Sequence, residues 1–303
     1  MANIPSWVYK LLIVLATIIW GFSFVVMKDV VAVLPPAWLL GMRFLFAGAL
    51  LLVILRKRVI RFCSRKVVTY GFILGVLDFT AFWLQTVGLK YTTPGINAFL
   101  TATYCVLVPF AWWLIARKRP TAFNIVAAIV AVCGIWLVSV SSSGETLSIG
   151  FGEAMTLGCA VAFAAHIVAV SKFAQKCDAL VLTVFQFIAE GALGIVFGAA
   201  TETFPGITVF TPEIIGQMLF LAVFASVVAF GIQNVSLAHV PPTQASLLLS
   251  LESVFGVVFS ILLYGEQMTL RLVVGFVLIF AAIVISETLP LKEKPCRRKT
   301  TSS

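Results

Sequence analysis

The chain has 303 residues, of which 61% are hydrophobic and only 11% charged, with a mean hydropathy of +1.10 and a formal net charge of +9. A soluble domain carries about 25% charged residues, so this composition cannot cover a water-facing surface and excludes a soluble enzyme. The excess positive charge falls in alternate loops, which excludes a nucleic-acid-binding reading.

Ten apolar runs predict helices over 8–27, 37–55, 67–89, 95–116, 121–140, 151–170, 179–200, 214–235, 243–263 and 270–289. Each is long enough to cross a hydrocarbon core about 30 Å thick, and each would satisfy its own backbone within lipid. The fold class expected is all-α integral membrane, with the lipid bilayer as its surroundings. Pro35-Pro36, Thr93-Pro94-Gly95, Pro120, Pro205-Gly206, Pro212 and Pro241-Pro242 separate the runs. The first run is too long for a signal peptide and lacks a cleavage site.

Of the 21 Lys and Arg, seventeen fall on one side if loops alternate: Lys10, six between Arg56 and Lys66, Arg117-Lys118-Arg119, Lys172, Lys176 and five after Pro290. Lys28, Lys90 and Arg271 fall on the other side, and Arg43 lies within a helix. This bias places both termini in the cytoplasm and the protein in the cytoplasmic membrane. The six cysteines show no metal-ligand spacing and, with His166 and His239 the only histidines, a zinc site is not expected. No phosphate loop, Ser/His/Asp arrangement or His-Glu-x-x-His is present, so neither a cofactor nor an ATPase is expected.

The second five runs echo the first. Leu39–Leu50 aligns with Leu182–Leu193, and Ala81-Phe82 with Gln85–Leu89 aligns with Ala229-Phe230 and Gln233–Leu237, each leading to a proline. Five helices per copy is an odd number, so the copies must enter the membrane from opposite sides. The expectation is therefore ten transmembrane helices as two inverted five-helix repeats, 1–140 and 151–289, followed by a basic cytoplasmic tail, 290–303. Inverted repeats recur in secondary transporters, with a site near the midplane between the halves.

A charged group at mid-membrane costs about 2.5–3.5 kcal/mol on insertion scales and needs an explanation. Asp78, Glu252 and Glu190 each fall near mid-span, either as a proton-coupling group or as a neutral hydrogen-bonded carboxyl. Arg43 could clamp a substrate carboxylate, pair with a carboxylate such as Asp78, or snorkel to the interface. Gln186 occupies the matching place in the second repeat, which favours packing or pairing there. Trp20, Ser23, Trp83, Gln85, Asn97, Tyr104, Gln233 and Gln244 would line a polar, aromatic cavity if they point inward. Tyr104 and Glu252 occupy matched positions in the two repeats. His166 reads as a helix–helix hydrogen-bond partner, and Gly71 with Gly75 as a close helix contact.

Trp20-Gly21-Phe22-Ser23-Phe24, Arg43-Phe44, Leu89–Leu100, Ala238–Leu247, Leu251-Glu252-Ser253 and Gly265-Glu266 together resemble the drug/metabolite transporter superfamily, EamA type, over essentially the whole chain. Two places depart from its pattern: Ser253 stands where a proline is usual, and Arg117–Arg119 replaces the Gly-Glu of the first half. The resemblance implies a ten-helix carrier with a central cavity, moving a small amino-acid-like or amphipathic drug-like molecule, often outward. The reading is a transporter and not an enzyme, proton-coupled through Asp78, Glu252 or Glu190 or else uncoupled. A channel or lipid flippase of the same fold is the alternative, and a monomer is sufficient.

Overall fold

The computed structural model describes residues 5–117, 119–139, 149–237 and 248–288. The elements are α1 (Ser6–Val33), α2 (Pro36–Ile54), α3 (Arg56–Phe62), α4 (Arg65–Tyr91), α5 (Pro94–Ala102), α6 (Tyr104–Ala116), α7 (Ala122–Ser139), α8 (Phe151–Phe173) and α9 (Ala179–Thr201). They continue with α10 (Pro212–Leu219), a π-helical stretch (Phe220–Val228), α11 (Ala229–Leu237), α12 (Leu251–Tyr264) and α13 (Leu270–Thr288). Prolines at the first helical position start α2, α5 and α10, where a missing N–H costs nothing. Side-chain oxygens of Ser64, Thr93, Asp178 and Thr211 cap α4, α5, α9 and α10.

Among the described residues seven helical segments are long and apolar enough to cross a membrane, with shorter apolar helices at Ala122–Val138, Leu251–Tyr264 and Leu270–Ser286. Large apolar side chains such as Val53, Leu114 and Leu262 remain exposed on the outside of the bundle, a surface suited to lipid rather than water. The chain is a multi-pass membrane protein.

The most extensive packing joins early helices to late ones: α2 to α9, α4 to α8 and α9, α7 to α13, and α1 to α12. Small residues allow this. A Cβ on Gly194 of α9 would stand 2.6 Å from the Gly41 Cα of α2, and a Cβ on Gly134 of α7 would stand 2.9 Å from the Gly275 carbonyl oxygen of α13. Neither interface has room for a larger residue without moving a helix. Gly71 and Gly75 similarly admit Phe185 and Ala189 of α9.

The structure departs from the predicted spans in five places. Helix α1 runs on to Val33, because Lys28 finds acceptors within the protein and a charge there need not end the helix. The basic segment after α2 contains a helix, α3, built from good helix formers. The run 95–116 is interrupted at Thr103, whose hydroxyl donates to the Leu100 carbonyl at 2.6 Å and competes with the backbone. The run 214–235 carries the π-helical stretch. A second interruption precedes α12 at Ser250, whose carbonyl accepts from the Ser253 hydroxyl at 2.8 Å. The basic tail, His239 and Gln244 lie outside the described residues.

Candidate functional site

A cavity of about 230 Å³ lies at the centre of the bundle, between helices of the early and late parts of the chain. Its walls are aromatic, with Trp20 and Phe24 from α1, Phe82 from α4, Tyr104 from α6, Phe163 from α8 and Phe230 from α11. Edge contacts fix several of these rings: Trp20 on Phe230 at 5.4 Å and Phe82 on Phe163 at 5.1 Å.

Two polar clusters break the aromatic lining. In the first, Asp78 of α4 accepts from Gln186 Nε2 of α9 at 2.6 Å through Oδ2, while its Oδ1 faces His166 Nδ1 of α8 at 3.6 Å. Asp78 Oδ1 and His166 Nε2 are buried and have no hydrogen-bond partner. Arg43 of α2 lies beside this group with its Nε donating to Ser226 Oγ at 2.9 Å. In the second cluster, the Tyr104 hydroxyl donates to Glu252 Oε1 of α12 at 3.3 Å. Tyr104 follows directly on the interruption at Thr103 and Glu252 lies two residues beyond that at Ser250, so each sits in the first turn of a resumed helix facing the other.

Of the residues singled out in the sequence, Trp20, Ser23, Arg43, Asp78, Gln85, Tyr104, Gln233 and Glu252 line the cavity. Trp83 and Asn97 are placed elsewhere. Trp83 packs edge-on against Phe197 of α9 at 5.3 Å, and its indole N–H is buried without a partner. Asn97 is buried outside the cavity, donating to the Gln85 carbonyl at 3.2 Å and to Thr156 Oγ1 at 2.8 Å. Glu190 is fully buried one turn beyond Gln186, away from the lining, with neither oxygen hydrogen-bonded. Arg43 neither snorkels nor pairs: it is 2% exposed, and no ion pair within 4.0 Å joins it to Asp78 or Glu190.

His166, Gln186 and Ser226 complete the site, although none stood among the sequence-derived binding residues. The sequence reads His166 as a helix–helix hydrogen-bond partner and Gln186 as the counterpart of Arg43, whereas Ser226 offers only a polar side chain in mid-span. His166 and Gln186 face Asp78 from two different helices, a convergence that no single span reveals.

The two ends of the bundle differ. At the end where α8 stops and α9 starts, the lining reaches Thr183 and the exposed Ser171. Arg58 of α3 pairs there with Asp178 at 2.8 Å. At the opposite end three side chains tie neighbouring helix termini. Lys28 Nζ donates to the carbonyls of Leu89 and Thr92 at 2.6 and 2.7 Å, closing the end of α4. Glu202 accepts from the Ala37 N–H at the start of α2, at 3.0 Å. Glu266, beyond α12, accepts from the Gly95 N–H at 3.1 Å and from the hydroxyls of Thr93 and Ser260. Carboxylates at helix N-termini and an ammonium at a C-terminus each complement the helix dipole.

The EamA-like transporter family model matches the chain twice, over residues 7–140 and 150–288. A protein of Archaeoglobus fulgidus named an uncharacterized transporter is 30% identical over 271 residues, covering 89% of this chain and 83% of its own length. A protein of Salmonella typhimurium named a probable amino-acid metabolite efflux pump is 23% identical, covering 91% and 93%. One solved structure superposes with a TM-score of 0.66 at 17% identity, over 93% of this chain and 98% of its own, a likeness of fold alone.

Proposed function

Because the chain belongs to the EamA-like transporter family, whose members are ten-helix membrane proteins, we propose that it is a secondary transporter exporting a small amino-acid-like or amphipathic solute by alternating access. The observation that carries this reading is the central cavity, whose lining reaches the exposed Ser171 at one end of the bundle, while at the other Lys28, Glu202 and Glu266 tie helix termini, which we read as the closed end. Its volume of about 230 Å³ falls below the roughly 300–1,000 Å³ of pockets for drug-sized ligands, which favours a metabolite over a bulky drug.

The packing pattern supports two inverted repeats, 1–140 and 151–289. If α1, α2, α4, α5–α6 and α7 correspond to α8, α9, α10–α11, α12 and α13, the α2–α9 and α7–α13 contacts map onto themselves. The α4–α8 contact then maps onto α1–α11, and α6–α8 onto α1–α12. Termini in the cytoplasm make the basic end the inner one, so this arrangement is inward-open. A single chain supplies both halves, so a monomer suffices.

Coupling to protons would run through Asp78, flanked by His166 and Gln186, with Glu252 and Glu190 as the other buried carboxyls. The test is flux in proteoliposomes, with efflux of amino acids measured under imposed pH gradients of either sign. Gradient-dependent, saturable flux is expected. Flux indifferent to the gradient makes the protein a facilitator, while electrical conductance or lipid scrambling without solute flux overturns the carrier.

A further inference from the structure

A guanidinium buried in a membrane span ordinarily pairs with a carboxylate, because an isolated charge there is costly. Arg43 does not, although the charges of Glu190 and Asp78 act on it. Its Nε donates to Ser226 Oγ at 2.9 Å, one Nη lies 3.7 Å from the Met27 sulfur, and its flat face meets the rings of Phe44 and Phe82 at 4.8 and 5.3 Å. A guanidinium has five N–H donors and thioether sulfur is a weak acceptor, so one strong hydrogen bond leaves it far from satisfied.

Ser226 explains the orientation. It lies in the π-helical stretch, and its single proton goes to the Leu221 carbonyl at 3.1 Å, five residues back. It therefore meets Arg43 with lone pairs only. The same turn is pinned to α1 by the Trp20 indole, which donates to the Ala225 carbonyl at 2.8 Å. A π-turn is rare and recurs at functional positions. Asp78 meanwhile is held by Gln186 at 2.6 Å.

We propose that Ser226 is a positioning residue that keeps Arg43 out of an ion pair with Asp78 or Glu190 and turned to the cavity, so that the site takes a solute with a carboxylate, which Arg43 grips. The proposal rests on the transport reading and narrows it, because an amphipathic amine without an anionic group would leave Arg43 unpaired.

The test uses the full chain in nanodiscs and matched probes that differ only at the head: carboxylate, amide and amine on isobutyl and benzyl frames, together with leucine and phenylalanine. Carboxylates should bind and the corresponding amides and amines should not. Ser226→Ala should weaken carboxylate binding about ten- to hundredfold, the range for a hydrogen bond to a charged group. It should raise KM with kcat little changed, leaving the melting temperature near that of wild type. Ser226→Thr, which keeps an acceptor oxygen, should restore most of the discrimination, and Arg43→Gln should abolish it. Amines binding as well as carboxylates, or Ser226→Ala leaving the preference intact, overturn the proposal while transport stands. If no probe binds and no flux is found, the transport reading falls with it.

Discussion

At the scale of single residues, the Asp78 site separates charge from shape. Asparagine at 78 can still accept from Gln186 but cannot hold the charge that faces His166 at 3.6 Å. Asp78→Asn should therefore fold, retain solute counterflow and lose the component of flux driven by a pH gradient, down to the level measured without one. Loss of counterflow as well would make Asp78 a solute contact. A second carboxylate tests stability. Burial alone would raise the Asp178 pKa, but hydrogen bonds from Arg58 and the Val181 N–H outweigh it and hold the carboxyl below its ordinary range. A folded-state value below the unfolded one adds stability that is complete above the unfolded pKa and disappears as pH falls through the folded value. Arg58 is 48% exposed at its side chain, so solvent limits the charge contribution to about 1 kcal/mol at most. Asn remains a good helix cap, whereas Ala forfeits about 1 kcal/mol more. Melting at pH 7 should rank wild type, Asp178→Asn, Asp178→Ala, and the gap between the first two should close in acid. Part of this chemistry was legible from helical period. Phe82 and Gln85 fall within about 40° of Asp78 around α4, whereas Trp83 falls about 140° away and so turns from the cavity. Asn97 shares the face of Thr101 but lies nearer the helix end, where α8 rather than the cavity meets it, and helix crossing is not written in one span.

At the scale of elements, apolar length and proline punctuation reveal the spans, because a lipid-crossing helix is specified by composition over about 20 residues. The interruptions at Thr103 and Ser250 were not legible. Each depends on one local hydrogen bond, Thr103 hydroxyl to Leu100 carbonyl or Ser253 hydroxyl to Ser250 carbonyl, that apolar composition does not announce. The role of Glu266 was equally hidden. The Gly265-Glu266 pair was visible, but its acceptors' partners, Thr93 and Gly95, lie more than 170 residues away. That capping carboxylate ties α12 to α5 and has a consequence for gating. Glu266→Ala removes an acceptor from three donors, and hydrogen bonds to a charged group contribute about 1.5–3 kcal/mol. The closed end should open more often. A cysteine placed at Ser23, in a cysteine-free background, should react roughly tenfold faster or more with an impermeant maleimide added at the Glu266 side. An unchanged rate would reduce Glu266 to an ordinary helix cap.

At the scale of the whole molecule, the two halves cannot be treated as independent domains. The large interfaces, α2 with α9, α4 with α8 and α9, and α7 with α13, all cross between them, while α1, α2 and α4 touch one another comparatively little. The glycine contacts reinforce this, since Gly41 meets Gly194 and Gly134 meets Gly275 across the divide. The sequence points to a repeat through two stretches at a nearly fixed offset, and the family model matches the chain twice. The interleaving was not readable there, because a repeat announces similarity and says nothing about which copy covers which face. A half expressed alone would leave its small-residue faces open to lipid, without the packing that holds membrane helices together. Residues 1–144 or 145–303 alone should be degraded, whereas the two co-expressed should accumulate and purify as one complex. A reporter at residue 145 should also lie on the opposite side of the membrane from reporters at either terminus. A first half that accumulates alone as a folded monomer would show that its helices bury one another, and the cavity between the halves would then lose its walls.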